Sequence, residues 1–225
     1  MNYQIIGENF PAVICELEPG ESMITEKGSM IWMTPNMEME TQGASIGKAF
    51  GRVFSGESIF QNIYTAKKAP GMITFGSSFP GSIKALELRE GESIIAQKGA
   101  FLASTSTISL STFFQKKMMS GFFSGEGFIM QQITGPGTVF LELDGAEVTY
   151  TLRPGEQLIV DTGNIAMMES TCKIDVQSVK GIKNKLFGGE GFFNTVITGP
   201  GKVTLQTMPL SALASTIASC IPSGN

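Results

Sequence analysis

The sequence contains no histidine. Nucleophile systems that use histidine as a general base are therefore excluded, and so are the histidine-based metal sites of many double-stranded β-helix enzymes. Charged residues make up only 16% of the 225 residues, and the net charge of −4 gives no bulk attraction to nucleic acid. With no recognised catalytic motif present, we expect a protein that is not an enzyme, holds no cofactor and does not bind nucleic acid.

Cysteine is also scarce, and its odd count argues against a disulfide framework. The three residues, Cys15, Cys172 and Cys220, lie at unrelated distances from the motifs described below. No basic stretch followed by an apolar run occurs in residues 1–10, and the apolar segment 210–221 is too short to span a bilayer. These features predict a reduced, cytoplasmic protein.

Two short motifs each occur three times along the chain. Gly-Glu-Gly-Phe at 125–128 precedes Thr-Gly-Pro-Gly at 134–137, and both recur at 189–192 and 198–201; a weaker copy lies at 56–59, Thr65 and 70–71. The second motif is Pro-Gly-Glu or Glu-Gly-Glu, and its glycines are separated by 71 and 64 residues. Those glycines are Gly20, Gly91 and Gly155, each followed eight residues later by another, at Gly28, Gly99 and Gly163.

This pattern predicts an internal triplication. The expected modules are residues 1–76, 77–143 and 144–207, followed by a C-terminal helix and tail at 208–225. A module of about 70 residues would be marginal alone, so we expect the modules to share a core in one compact body.

Apolar alternation between glycine and proline turns predicts an all-β fold of sandwich or barrel-like modules. Strands are expected at 12–17, 22–25, 37–40, 83–88, 93–97, 100–104, 128–134, 139–143, 148–152, 157–161, 173–179, 192–198 and 203–206. Leu210, Leu213, Ile217 and Ile221 form one stripe at helical spacing, which predicts a short terminal helix.

These motifs, together with the closing Val-Thr-Leu-Gln-Thr-Met-Pro-Leu-Ser at 203–211, resemble the bacterial branch of the altered-inheritance-of-mitochondria protein twenty-four family. The resemblance covers essentially the whole chain. It implies a fold like that of the tryptophan RNA-binding attenuation protein (TRAP-like), with three double-stranded β-helix-like sandwich modules about a pseudo-threefold axis. It also implies an intracellular, oligomeric protein of unassigned biochemistry, whose mitochondrial relatives are tied to inner-membrane organisation.

One candidate cation site consists of glutamates that share a position in the repeat, Glu57, Glu126 and Glu190. A threefold axis would bring their carboxylates together as oxygen ligands. The favoured alternative is that each accepts hydrogen bonds from local backbone N–H groups at a bulge or turn. Glu21, Glu92 and Glu156 are predicted to be solvated turn residues, and the glycine motifs to be structural turns rather than phosphate cradles.

The segments that lead into the Gly-Glu motifs are basic and rich in aromatic residues. Segments 44–54, 111–123 and 179–187 hold seven of the 16 basic residues and none of the 20 acidic ones. Placed on one face by the repeat, they would suit an anionic membrane surface or an acidic protein partner. The candidate residues are Lys48, Arg52, Lys116, Lys117, Lys180, Lys183, Lys185, Phe113, Phe114, Phe122 and Phe123.

The favoured structural alternative for these segments is that they are edge or connecting strands. Their lysines would then block edge-to-edge pairing while the aromatic side chains pack inward. A further cluster of methionines around Trp32 is predicted to pack in the core, with Trp32 as a core or interface anchor.

The function expected from the sequence is a non-enzymatic binding or scaffolding protein that works as a homo-oligomer, because 16 phenylalanines and few charges would leave apolar surface on a monomer. The alternatives are a peripheral membrane factor that uses the basic segments, and small-molecule or cation binding at the repeated glutamates.

Overall fold

The computed structural model describes residues 1–26, 28–42, 61–116, 128–178 and 193–221. Within these ranges the chain is mostly β-sheet, with two short 3-10 turns (Lys98–Ala100 and Thr162–Asn164) and one helix, α1 (Leu210–Cys220). The strands are β1 (Asn2–Ile6), β2 (Ala12–Leu17), β3 (Ser22–Thr25), β4 (Met30–Met33), β5 (Met37–Gln42), β6 (Gln61–Ala66), β7 (Gly71–Gly76), β8 (Gly81–Leu88), β9 (Ser93–Gln97), β10 (Phe101–Thr105), β11 (Ser109–Lys116), β12 (Phe128–Thr134), β13 (Gly137–Asp144), β14 (Glu147–Leu152), β15 (Gln157–Asp161), β16 (Ile165–Glu169), β17 (Lys173–Ser178), β18 (Phe193–Thr198) and β19 (Gly201–Gln206).

The described strands form four sheets. In order of neighbours these are β1-β2-β7-β4, then β5-β6-β3-β10-β13-β8, then β11-β12-β9-β16-β19-β14, and finally β15-β18-β17. The chain divides into two compact units. The first contains Met1–Ser93, Lys98–Thr112 and Ile133–Leu143, and the second contains Ile94–Gln97, Phe113–Gln132 and Asp144–Asn225. The division does not follow the boundaries predicted for three modules, which stay a prediction.

The core of the first unit lies between its two sheets. Val13, Cys15 and Leu17 alternate inward along β2, whereas Glu16 between them is exposed. They join side chains of the second sheet in one cluster, and Tyr64 of β6 meets Phe75 of β7 edge to face at 6.0 Å. Complete burial of side chains of this size stabilises the fold by about 1.5–3 kcal/mol each.

The second unit has its own core. Phe128 and Met130 of β12 are completely buried, and they pack with Ile165 of β16 and Ile197 of β18. Phe114 of β11 is partly buried against this cluster, with its ring 6.4 Å from that of Phe128.

The three repeated turn glutamates close their turns in the same way. Each carboxylate accepts a hydrogen bond from the backbone N–H three residues earlier, and the glutamate's own N–H donates to that residue's carbonyl at 3.0 Å. The carboxylate pairs are Glu21 with Glu18 at 2.8 Å, Glu92 with Arg89 at 2.9 Å and Glu156 with Arg153 at 2.8 Å. The glutamates are therefore turn residues as predicted, but their carboxylates are bonded to the backbone as well as solvated.

The two repeated sequence motifs meet in space. Gly135 N–H donates to the carbonyl of Glu92 at 3.0 Å, and Gly199 N–H donates to that of Glu156 at 2.9 Å. A Cβ on Gly135 would lie 2.5 Å from the Arg89 carbonyl oxygen, so only glycine fits this approach. In the weaker first copy Ala66 N–H makes the matching bond, to Glu21 at 3.1 Å.

A register shift follows each of the three glycines Gly28, Gly99 and Gly163. The shifts lie between Met30 and Trp32 in the β4–β7 pair, between Phe101 and Ala103 in β10–β13, and between Ile165 and Met167 in β16–β19. Each shift therefore begins two residues after its glycine, which is the spacing that the sequence motifs share.

The C-terminal helix forms where the apolar spacing predicts it. The Asp144 carboxylate accepts a 2.8 Å hydrogen bond from Leu210 N–H, which satisfies a donor at the helix N-terminus. The predicted apolar stripe is largely uncovered, since Leu210, Ile217 and Ile221 are more than half exposed. No helix among the described residues is long and apolar enough to cross a membrane.

Candidate functional site

Strand β4 presents an apolar edge. It is the last strand of its sheet and pairs on one side with β7. Three consecutive side chains are exposed, Ile31 at 51%, Trp32 at 45% and Met33 at 36%. Edge strands leave backbone N–H and C=O groups unpaired, and β4, although it has four residues and a register shift, exposes apolar side chains beside these groups, which favours pairing with another strand. The prediction that Trp32 lies in the core is wrong, and the interface option for this residue stays a prediction.

Strand β15 presents a second apolar edge. It pairs with β18, with Ile159 opposite Val196, and it ends the three-stranded sheet. Ile159 is 68% exposed, whereas its neighbour Val160 is buried in the core of the second unit. The alternation of β15 therefore places one branched apolar side chain in solvent.

Two strand pairs inside the chain join strands that lie at the same distances from the motif glycines as β15 and β4 do. In the first unit β3 pairs antiparallel with β10, with Ile24 opposite Ser104. In the second unit β9 pairs antiparallel with β16, with Ile95 opposite Met168. Ile95 is 1% exposed and Met168 is completely buried. These positions show what the edges of β4 and β15 would bury if each had a partner strand.

The cysteines offer no activated nucleophile. Burial raises the pKa of the Cys15 thiol to about 12. Burial is the larger cause that raises the pKa of the Cys172 thiol, and the negative charge of Glu169 is the smaller one. Both thiols stay protonated at neutral pH, and Cys220 is exposed on α1.

Other polar groups in the described ranges serve the fold. The buried Glu142 carboxylate accepts hydrogen bonds from Ser78 N–H at 2.7 Å and from the hydroxyls of Ser77 and Ser78 at 3.1 and 3.2 Å.

A pocket of about 260 Å³ beside β1 and β2 is lined in part by Glu16 and Glu18. Among the described residues, no three acidic or thiol side chains are grouped so that they could hold a metal ion.

The model for the family described as mitochondrial biogenesis AIM24 matches residues 3–208. The chain belongs to the AIM24 family. The match covers more than nine-tenths of the chain, and the family resemblance of the repeated motifs is thereby confirmed.

Relatives of this AIM24-family chain occur in streptococci. An uncharacterized protein of Streptococcus pyogenes serotype M6 is 28% identical over 225 residues, covering 96% of this chain and 89% of the relative. The crystal structure of a Streptococcus pyogenes protein is 26% identical, with a TM-score of 0.79, and the match covers 98% of this chain and 99% of that one.

Most of the site residues predicted for this AIM24-family chain lie outside the described residues. These are Glu57, Glu126, Glu190, Lys48, Arg52, Lys117, Lys180, Lys183, Lys185, Phe122 and Phe123. The described ones are on β11, an edge strand that ends at Lys116. Phe113 is 43% exposed and Phe114 faces the core, so the two aromatic side chains point to opposite faces of the sheet.

Sequence reasoning missed the two apolar edges. Met-Ile-Trp-Met has no alternation, so no strand is predicted at β4. Ile159 falls in a predicted strand, but its exposure depends on which strand ends the sheet. The available signal is the spacing of the sequence motifs, since Ile159 lies at the same distance from its turn glycine as Ile24 and Ile95 do from theirs.

Proposed function

We propose that this AIM24-family chain is a non-enzymatic binding or scaffolding protein that works as a homo-oligomer. The observation that supports it best is the exposed run Ile31, Trp32 and Met33 on the edge of β4. Strand β4 is short and has a register shift, two features that blunt an edge, but it carries no charged residue and exposes three large apolar side chains. Such an edge suits a partner strand.

We also infer that the body of the chain consists of three copies of one six-stranded unit, β2–β7, β8–β13 and β14–β19. In each copy the first, sixth and third strands are neighbours in one sheet, and the fourth, fifth and second are neighbours in another. The matching turn glutamates and the matching register shifts support this inference. A TRAP-like arrangement of the copies follows from the family resemblance and belongs to the same proposal.

The mass of the purified full chain in solution tests the assembly. Sedimentation or light scattering is expected to give a multiple of the chain mass of 24.0 kDa at micromolar concentration. A single-chain mass at every concentration up to about 100 μM, a weak affinity by the standards of specific association, would contradict the proposal.

A peripheral membrane role is the second candidate. The observation that favours it is the exposed Phe113 on β11, in the strand that ends at Lys116. Sedimentation with vesicles that contain anionic lipid tests it. Changing Lys116, Lys117, Lys183 and Lys185 to Glu should abolish binding, whereas changing Lys67, Lys68, Lys173 and Lys202 to Glu should weaken it less. Equal binding by both variants would count against this role.

A further inference from the structure

We propose that the free edge of β15 in one copy of this chain pairs antiparallel with the free edge of β4 in a second copy, placing Ile159 opposite Met33. This inference rests on the assembly proposed above and names the two surfaces and their register. The partner is another molecule of the same chain, because β4 and β15 of one chain belong to different sheets and leave Met33 and Ile159 exposed.

The register follows from the two junctions inside the chain. The isoleucine four residues after each turn glycine (Gly20, Gly91 and Gly155) is Ile24, Ile95 and Ile159 in turn. The residue five positions after each second glycine (Gly28, Gly99 and Gly163) is Met33, Ser104 and Met168 in turn. In both junctions the residues at these two positions are directly opposite each other. The second strand of one copy thus pairs with the third strand of the next. The second strand of the last copy is β15, and the third strand of the first copy is β4.

Burial at equivalent positions supports the pairing. Ile95 is 1% exposed in its junction, whereas Ile159 is 68% exposed. On the facing strand Met168 is completely buried, whereas Met33 is 36% exposed. The side chains at β4 and β15 are as apolar as those that the β9–β16 junction buries, so the same contact would remove them from water. In the β3–β10 junction the polar Ser104 is buried and Ile24 is half-buried.

Charge distinguishes these two edges from most others. The edge strands β5, β8, β11, β14 and β17 each carry a lysine or an acidic residue. Strand β4 carries no charge, and in β15 the only charged residue is Asp161 at its end, whose carboxylate accepts a 3.1 Å hydrogen bond from Gly163 N–H. Lysine and glutamate on edges oppose strand addition, and three of the described edge strands lack both of them, β1, β4 and β15. The register relation above selects β4 and β15 from these three.

The contact is head-to-tail, because each copy offers one β15 edge and one β4 edge. Such heterologous contacts produce closed rings or open chains rather than a dimer with a twofold axis. A variant in which one of these two edges is disrupted still has the other edge intact. Two variants with different disrupted edges can therefore be mixed to test whether their intact edges pair.

The test uses the full chain with Ile159→Lys and, separately, Met33→Lys. Each is expected to raise the concentration of half-dissociation by about tenfold or more, because the ammonium would lose water against an apolar strand. An equimolar mixture of the two variants is expected to form a complex with one copy of each, through the intact β4 of the first variant and the intact β15 of the second. Circular dichroism and melting temperature check that each variant is folded.

Tyr150→Lys is the matched control, since Tyr150 is 47% exposed on the edge strand β14. It should leave the assembly unchanged. If the wild-type chain is oligomeric and Ile159→Lys does not weaken the oligomer, the β15–β4 contact is wrong. The proposed assembly would then still hold through another surface. Failure of the folded variants to combine on mixing would also overturn the β15–β4 contact. A wild-type chain that is always monomeric would instead remove the proposed function itself.

Discussion

Met168 of β16 lies directly opposite Ile95 of β9 in an antiparallel pair, and both side chains are buried. Ile159 lies four residues after its turn glycine, as Ile95 does, but among the described strands β15 pairs with β18 on one side and with none on the other. The difference in burial between two equivalent isoleucines is the basis of the proposed interface.

Removing a turn carboxylate should destabilise the fold modestly. We expect Glu92→Ala and Glu156→Ala each to lower the free energy of unfolding by about 1 kcal/mol, because a charge-assisted bond to a backbone N–H is lost from an exposed turn. Glu90→Ala changes an exposed acid in the same turn and should cost less than about 0.5 kcal/mol. Urea denaturation measures all three, and equal losses for Glu90 and Glu92 would refute the assigned role.

The glycines at the motif contact should not tolerate a side chain. Gly135→Ala and Gly199→Ala would place Cβ 2.5 Å from the carbonyl oxygens of Arg89 and Arg153, so the backbone must move. We expect a loss of about 2 kcal/mol or more in the free energy of unfolding. At Gly99 a Cβ meets nothing within 4 Å, and Gly99→Ala should change stability by less than about 1 kcal/mol in either direction. A similar loss at all three glycines would contradict this explanation.

The three cysteines should differ in reactivity. In the native protein at pH 8 a thiol reagent is expected to label Cys220 quickly, and Cys15 and Cys172 only after unfolding, because burial keeps their thiols protonated. Mass spectrometry of the labelled peptides distinguishes the three sites. Rapid native labelling of Cys15 would show that the first core is open.

Alkaline pH should weaken the fold through Cys15. Its pKa is raised from 9.0 to about 12 in the folded state, so the unfolded chain releases this proton first as pH rises. Stability is therefore retained below pH 9 and falls between pH 9 and 12, by up to about 1.4 kcal/mol per pH unit. Cys15→Ala should show a shallower decline than the wild-type chain in urea denaturation at pH 8 to 11. Parallel curves would mean that the thiol ionises equally in both states.

Much of the fold could be predicted because its strands are short, regular and bounded by turn residues. The bounds of β2, β3, β9, β12 and β15 match the sequence prediction. Strands β1, β4, β6, β7, β11 and β16 were not predicted. Met-Ile-Trp-Met lacks alternation, and β7 begins and ends with glycine, so neither carries the period-two signal of a half-buried strand.

The candidate site was less predictable than the fold. Met30 and Met37 pack in or against the core as expected for the methionine cluster, but Met33 and Met39 are exposed. Whether a side chain on a strand is covered depends on the neighbouring strand, which comes from a distant part of the chain. The composition of one segment does not encode that neighbour.

Disulfide trapping between two molecules tests the β15–β4 register most directly. In a Cys220→Ser background, a Met33→Cys chain is mixed with an Ile159→Cys chain and oxidised. Directly opposite residues have Cα atoms about 4.5 or 5.5 Å apart, within disulfide range, whereas a diagonal partner two residues away lies about 7–8 Å off. We expect a covalent dimer with one copy of each chain, and little product when Gln157→Cys replaces Ile159→Cys. Equal yields from both mixtures, or a crosslink only within a single chain that carries both cysteines, would contradict it.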